Sequence, residues 1–407
     1  MMAIGVGGSN VQAELDKLQD MTAGISPVSV SEYEQRIEKA QRLMREQGLV
    51  ALYLNAGTNL YYFTGTRWGA SERMVGAILP ATGPLEYIAP YFEISTLEDF
   101  MLAKGHVNGW QEHESPYALF ADTLKKMGID SGRIGVDEAT SFFLFDGMRT
   151  AAPQFEYVDA KPITAQCRMH KSDPEIALLQ RAKDMTIEVH KAAARILHEG
   201  ITTTEVKDFI NEAHKAVGAP AGFSFCIVLF GEATAYPHGV KNTQTLKNGD
   251  MVLIDTGCAL QGYNSDITRT YVFGDATERQ RSVWNHEKAA QMAAFNQAQI
   301  GTRCGDVDSA ARVLLEQAGY GPDYAVPGLP HRTGHGIGLD IHEWPYLVKS
   351  DDTLLAKGMC FSNEPMICIY GEFGVRLEDH FYMTESGPKW FTEPSHSIDN
   401  PFGYENG

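Results

Sequence analysis

Apolar positions in this chain follow two different spacings, and the changes between them divide it. After Ser31, residues Tyr33, Ile37, Ala40, Leu43 and Met44 recur at three- and four-residue intervals, the repeat of one helix face. Ser31 and Glu34 have the spacing of a capping box, and Gly48 is placed to stop the helix. The run "LVALYL" that follows reads as a strand. So do "MVGAILP", "LEYIAP" and "QFEYVDA", with helix-like stretches between them. Together they predict an α/β unit over residues 28–165, behind an amino-terminal extension over residues 1–27. "KPITAQCRMHKSDPEI" reads as a polar linker. Beyond it, Ser172 with Glu175 and Thr202 with Glu205 open two helices, and further helices begin near Thr277 and Asp306. Strand-rich stretches, 223–273 and 325–385, follow each helix pair. The order predicts an α+β domain over residues 166–407, with helices packed on one sheet face.

Two of the strand pairs carry acids where a buried face is expected. In "MVLIDTGCALQGYNSDITRTYVF", a turn centred on Leu260-Gln261 sets Asp255 opposite Asp266. In "NEPMICIYGEFGVRLED", a loop centred on Gly371 sets Glu364 opposite Glu378. Opposed like charges on one face repel unless a proton or cation lies between them. Four such carboxylates call for two divalent cations. Oxygen ligands with one imidazole suit manganese, zinc, cobalt or iron.

The imidazole is sought in "LPHRTGHGIGLDIHEWP". His331 and His335 stand four apart, as on a helix, but Gly334, Gly336 and Gly338 argue against one. Glycines at that density let backbone pass close to a neighbour. His335, with a glycine on each side, is therefore assigned as the ligand. His342 suits a substrate-facing position, and His331 a supporting one. His238, in "AYPHGV", sits in a turn just ahead of the first acid hairpin.

Composition narrows the partners. The net charge of −18 disfavours nucleic acid and anionic membrane as partners, and no apolar run is long enough to span a bilayer. The start, "MMAIGVGGSN", lacks the basic and apolar regions of a secretory signal. None of the six cysteines forms a Cys-x-x-Cys pair, which predicts buried free thiols in a cytoplasmic protein.

The segments "LIDTGCALQGYNSDITRT", "TGHGIGLDIHE", "NEP" and "GVRLED" resemble the signature segments of the pita-bread metallopeptidases, the Xaa-Pro dipeptidase (prolidase) and aminopeptidase P group. "NLYYFTGTRW" and "RMHKSDPEI" are similar to that family's amino-terminal domain and its junction. The resemblance runs from about residue 28 to the end. It implies a creatinase/prolidase-type α/β domain followed by a catalytic domain with a curved, mainly antiparallel sheet. It implies Asp255, Asp266, His335, Glu364 and Glu378 as ligands of two divalent ions per subunit, manganese first, with Asp266 and Glu378 shared between them. Glu364 would also shuttle a proton, and His238 and His342 would contact the scissile carbonyl. Arg376 would hold the substrate carboxylate or brace the acids, and Tyr263 matches a tyrosine of the motif. Arg332 has no assigned role. The implied protein is a homodimer, with Trp68 as the residue reaching the partner. Its implied substrate is a small peptide with proline second. An Xaa-Pro bond is a tertiary amide without an N–H, which ordinary proteases handle poorly. Alternatives on the same centre are aminopeptidase P action on longer peptides, or a hydrolase or lyase of small zwitterions or organophosphates.

Overall fold

The computed structural model describes residues 3–404. The chain divides into two compact units, Val28–Arg168 on the one hand and Met1–Pro27 with Met169–Gly407 on the other.

The Val28–Arg168 unit is built on one mixed sheet. Its strands are β1 (Leu49–Asn55), β2 (Gly76–Pro80), β3 (Glu86–Pro90), β4 (His106–Trp110), β5 (Gly132–Val136) and β6 (Phe155–Asp159), in the spatial order β4-β3-β2-β1-β5-β6. Strand β1 is central, and its residues 51–54 are almost fully buried, which explains a run without polar alternation. The helix Val30–Gln47 precedes it. Its cap is Ser29, whose side chain accepts from the Glu32 amide, not Ser31. The sequence offers Ser-x-x-Glu twice. The earlier register also brings Glu32 into the first turn, 2.7 Å from Arg36.

The expected linker is mostly helix. Lys161–Arg168 forms a helix burying Ile163, Ala165 and Cys167, and only 169–172 separate it from the helix Asp173–Arg195. Pro162 is tolerated because it stands in the first turn, where no intrahelical N–H is needed.

In the second unit, full capping boxes at Ser172/Glu175, Thr202/Glu205 and Thr277/Gln280 open the helices Asp173–Arg195, Thr203–Ala216 and Glu278–Gln297. A fourth helix is Cys304–Gln317. Between the helix pairs lie β7 (Phe225–Phe230), β8 (Met251–Gly257), β9 (Ala259–Leu260), β10 (Tyr263–Asn264) and β11 (Ile267–Val272). After them come β12 (Gly334–Gly336), β13 (Glu343–Leu347), β14 (Cys360–Asn363), β15 (Met366–Ile369), β16 (Phe373–Arg376), β17 (Asp379–Thr384) and β18 (Gly387–Trp390). The two larger sheets run β11-β8-β7 and β13-β12-β14-β17-β18. Their pairings are antiparallel, and the bridge Thr268↔Glu378 joins them. Helices cover the sheets through a core that includes Trp284, Val283, Ala290, Leu315, Phe361 and Phe381. No helix among the described residues is long and apolar enough to cross a membrane.

The amino-terminal segment belongs to this unit. The amides of Gly7 and Ser9 donate to the carbonyls of Ala194 and Arg195 at 2.9 and 3.1 Å. Glu14, fully buried, accepts from Arg195 at 2.6 Å and Lys17 at 2.7 Å. Glu14→Ala is expected to lower stability by about 1.5–3 kcal/mol, the range of a hydrogen bond to a charged partner. Urea unfolding checks this; an unchanged midpoint would show the segment to be passively attached.

Candidate metal centre

The first acid hairpin forms with a different register from the expected one. The turn is Gln261-Gly262, with φ of 51° and 86°, flanked by the pair Leu260↔Tyr263. Both residues are left-handed, as a tight hairpin turn of this hand requires, and glycine meets that at its second position without strain. Asp255 therefore pairs with Thr268, not Asp266. The shift is two residues, so parity is kept and Asp255 and Asp266 still share a face.

The second hairpin has the expected register. β15 and β16 pair from Met366↔Arg376 to Ile369↔Phe373, and β14 and β17 pair Asn363 with Asp379. Glu364 and Glu378 fall between these pairs, across from one another. The glycines around His335 serve close strand approach. A Cβ on Gly334 would lie 2.0 Å from the Ser362 carbonyl oxygen, and one on Gly336 2.6 Å from that of Glu343. β12 is thereby pressed between its neighbours with His335 held inward, its amide donating to Ser362 Oγ at 2.9 Å.

The candidate ligand atoms converge. His335 Nε2 is 3.0 Å from Glu364 Oε1 and 3.5 Å from Asp266 Oδ2, yet has no hydrogen bond of good geometry. Its Nδ1 donates to the Gly336 carbonyl at 2.9 Å, so in the neutral ring Nε2 carries the lone pair. Among the described residues, three groups of potential ligand atoms each lie within 4.8 Å of one another: Asp266–His335–His342, Asp266–Glu378–His380 and His335–Glu364–Glu378. Asp266, His335 and Glu378 each occur twice. Of these, only the carboxylates have two oxygens with which to serve two ions. Asp255 Oδ1 is a further buried oxygen without a partner.

Protonation shows how poorly these groups tolerate one another alone. Burial, with Asp266 and Glu364 nearby, pushes Asp255 up to about 8 despite Arg376. Burial and the neighbouring Asp266, Glu364 and Asp255 push Glu378 well above the carboxylate range. Burial acts to lower His335, but Asp266 and Glu364 overcome it and raise the ring to about 9. Carboxylates whose charge is opposed by burial and by one another, beside the unpartnered Asp255 Oδ1 and His335 Nε2, fit divalent cations.

Several neighbours were not foreseen. Thr268 Oγ1 donates to Glu378 Oε2 at 2.8 Å, tying one hairpin to the other. His380 Nε2 lies 3.3 Å from Glu378 Oε1. It stands two residues on along one strand, so side-chain alternation alone could have found it. Asp379, on the opposite face, pairs with Arg269 at 2.7 Å.

Arg376 braces the acids. It donates from Nη2 to Asp255 at 2.7 Å, from Nε to Thr268 Oγ1 at 3.1 Å and from Nη1 to the Pro237 carbonyl at 3.0 Å. Tyr263 is placed away from the reacting groups: its hydroxyl is buried against Glu175 at 2.9 Å, and it does not line the cavity. A cavity of about 750 Å³ opens over the acids. It is lined by Asp255, Asp266, Glu364 and Arg376, by His238, His331, Arg332 and His342, and by apolar Phe225, Ile227, Pro237 and Ile341. His238 and His342 are exposed, and His342 rests edge-on to His335 with ring centroids 4.2 Å apart. Burial lowers the pKa of His331. Burial and His335 lower that of His342, which leaves both rings neutral at pH 7. The cavity size suits a small ligand rather than a folded protein.

Metal uptake should depend on pH with a defined sign. A proton on Asp255 or His335 must leave before an ion binds. Both sites are protonated below pH 8, so apparent affinity is expected to rise from pH 6.5 to 8.5, with protons released on loading. Chelator competition across that range checks it; a flat profile would show the ligands already deprotonated.

Comparison with known proteins agrees with this geometry. Residues 177–385 match the model of metallopeptidase family M24, and residues 36–170 that of the creatinase/prolidase N-terminal domain. The chain is 35% identical to YkvY of Bacillus subtilis (strain 168), over 88% of this chain and 97% of that one. It is 30% identical to an Xaa-Pro dipeptidase of Pyrococcus furiosus, over 89% and 99%. The crystal structure of dipeptidase PepE from Mycobacterium ulcerans superposes with a TM-score of 0.85 at 32% identity, covering 91% of this chain and 98% of that one. With a catalytic-domain match over half its length and relatives spanning nearly all of it, the chain belongs to metallopeptidase family M24.

Proposed function

We propose that this protein is an Xaa-Pro dipeptidase working with two divalent ions, manganese first. Asp255, Asp266, His335, Glu364 and Glu378 would hold them, with Asp266 and Glu378 shared. The observation that carries the reading is the convergence of Asp266, His335, Glu364 and Glu378 beneath a cavity of dipeptide size that Asp255 also lines, in a chain whose relatives include an Xaa-Pro dipeptidase. When bound, such ions supply Lewis-acid polarisation of a carbonyl and activation of water.

The chain's own residues do the rest. Glu364 is 16% exposed and His335 holds its carboxyl below the usual range against the effect of burial, so it is ionised and can accept a proton. It would deliver that proton to the departing proline nitrogen. His238 and His342, on the cavity side, would donate hydrogen bonds to the carbonyl oxygen as charge develops. Arg376 keeps Asp255 oriented. None of these contacts uses the N–H that an Xaa-Pro bond lacks.

We further propose a cytoplasmic homodimer. All six cysteines are free, as in a reducing compartment. Trp68 meets Phe100 edge-on at 6.3 Å, beside solvent-exposed Phe100, which is 52% exposed. Light scattering on wild type and Trp68→Ala would test the pairing.

The deciding experiment is turnover with added manganese, cobalt, zinc or iron, on Xaa-Pro dipeptides, an Xaa-Pro-Xaa tripeptide and a dipeptide without proline. Preference for the Xaa-Pro dipeptide is expected. Faster tripeptide cleavage would indicate aminopeptidase P action, and no peptide turnover with any ion would overturn the reading.

A further inference from the structure

We propose that Arg332 is the residue that binds the substrate's free carboxylate and so limits its length, an inference that rests on the dipeptidase reading above. Two guanidinium groups line the cavity. Arg376 is occupied with Asp255, Thr268 and the Pro237 carbonyl. Arg332 has no hydrogen-bond or ion-pair partner for its side chain among the described residues. It lies over the Tyr346 ring at 4.2 Å, and Tyr346 is the cross-strand partner of His335. The free cation is thus mounted on the strand pair that carries a proposed ligand.

Its backbone is pinned on both sides. Arg312, paired with Asp308 at 2.8 Å, donates to the carbonyls of Leu329 and His331. The Thr333 amide and hydroxyl donate to Asp308 Oδ1 at 3.1 and 2.7 Å. His331 Nδ1 donates to the Arg332 carbonyl at 2.7 Å. A stacked, planar fork with its donors open suits a carboxylate bidentately.

The substrate's chemistry requires such a group near the acids. In an Xaa-Pro dipeptide the carboxylate carbon is two bonds from the scissile nitrogen. An anion so close to a cluster of carboxylates needs its own cation. A longer peptide has a neutral amide at that position and gains nothing from the guanidinium. Arg332 stands three residues from His335, close enough in the chain to meet that need.

The test uses an uncleavable Xaa-Pro analogue, with a methylene in place of the scissile carbonyl, as free acid and as carboxamide. Both are titrated calorimetrically into the manganese-loaded protein. The wild type is expected to bind the acid roughly 10- to 100-fold more tightly, the range for hydrogen bonds to a charged group. Arg332→Ala should abolish that difference by weakening the acid alone, Tyr346→Leu should reduce it, and Arg332→Lys should keep part of it. Equal binding of acid and amide by the wild type, or an acid preference surviving Arg332→Ala, overturns the inference. Hydrolysis separates this from the parent reading. An acid preference that Arg332→Ala removes, without turnover of any Xaa-Pro peptide, would sink the dipeptidase assignment and leave the carboxylate site standing. Turnover without acid preference would do the reverse.

Discussion

Asp266→Asn should lose metal and activity together, by at least the roughly 10²–10³-fold that follows removal of one oxyanion donor. Asp266 supplies an atom to two of the three ligand groups, so an amide there takes a charge from both proposed ions. Glu378→Gln should behave alike. Asp379→Asn is the control, since Asp379 points to the other face and holds Arg269 at 2.7 Å. It should lower stability, because a buried guanidinium loses its counter-charge, while the folded fraction keeps its metal. Elemental analysis beside kcat/KM checks all three. Undiminished activity of Asp266→Asn, or of wild type after exhaustive chelation, would remove the metal centre from the mechanism.

Arg376→Met is expected to cost about 3–5 kcal/mol of stability, the usual consequence of stripping one partner from a buried ion pair. Asp255 would be left without its 2.7 Å donor, and burial would raise its pKa further. Arg376→Lys keeps the charge but not the fan of contacts to Thr268, Pro237 and Asp255. For that variant kcat should fall equally on dipeptide, amide and tripeptide, with metal affinity down roughly 10- to 100-fold, as for other residues that orient a ligand. A KM rise confined to free-acid dipeptides would return the carboxylate-binding role to Arg376.

Much of this centre was legible in the chain because strand parity is robust. The expected turn lies one residue too early, which shifts the pairing by two and still leaves Asp255 and Asp266 on one face; only an odd register shift separates them. Gly262 held the missing information, since glycine meets the left-handed second position of that turn without strain. The second hairpin was read correctly from Gly371. What stayed hidden depended on contacts between distant segments. Thr268 and Glu378 meet across 110 positions, and no local pattern reports that. Tyr263 was carried over by motif position, but its hydroxyl turns to Glu175 on a helix whose packing the motif does not encode. The same holds for the polar stretch after residue 160, where burial of Ile163 and Cys167 made a helix from letters that read as a linker.

The bridge between Thr268 and Glu378 has a thermodynamic consequence. The proposed ligands enter from β8, the link between β10 and β11, β12, and the segments beside β14 and β17, so bound ions would cross-link chain segments more than a hundred residues apart. Ions bound by the native state alone stabilise it by mass action, by about 2.7 kcal/mol when free metal is a hundredfold above its dissociation constant. The enzyme would then have no single melting temperature. Its heat tolerance would track the free metal concentration around it.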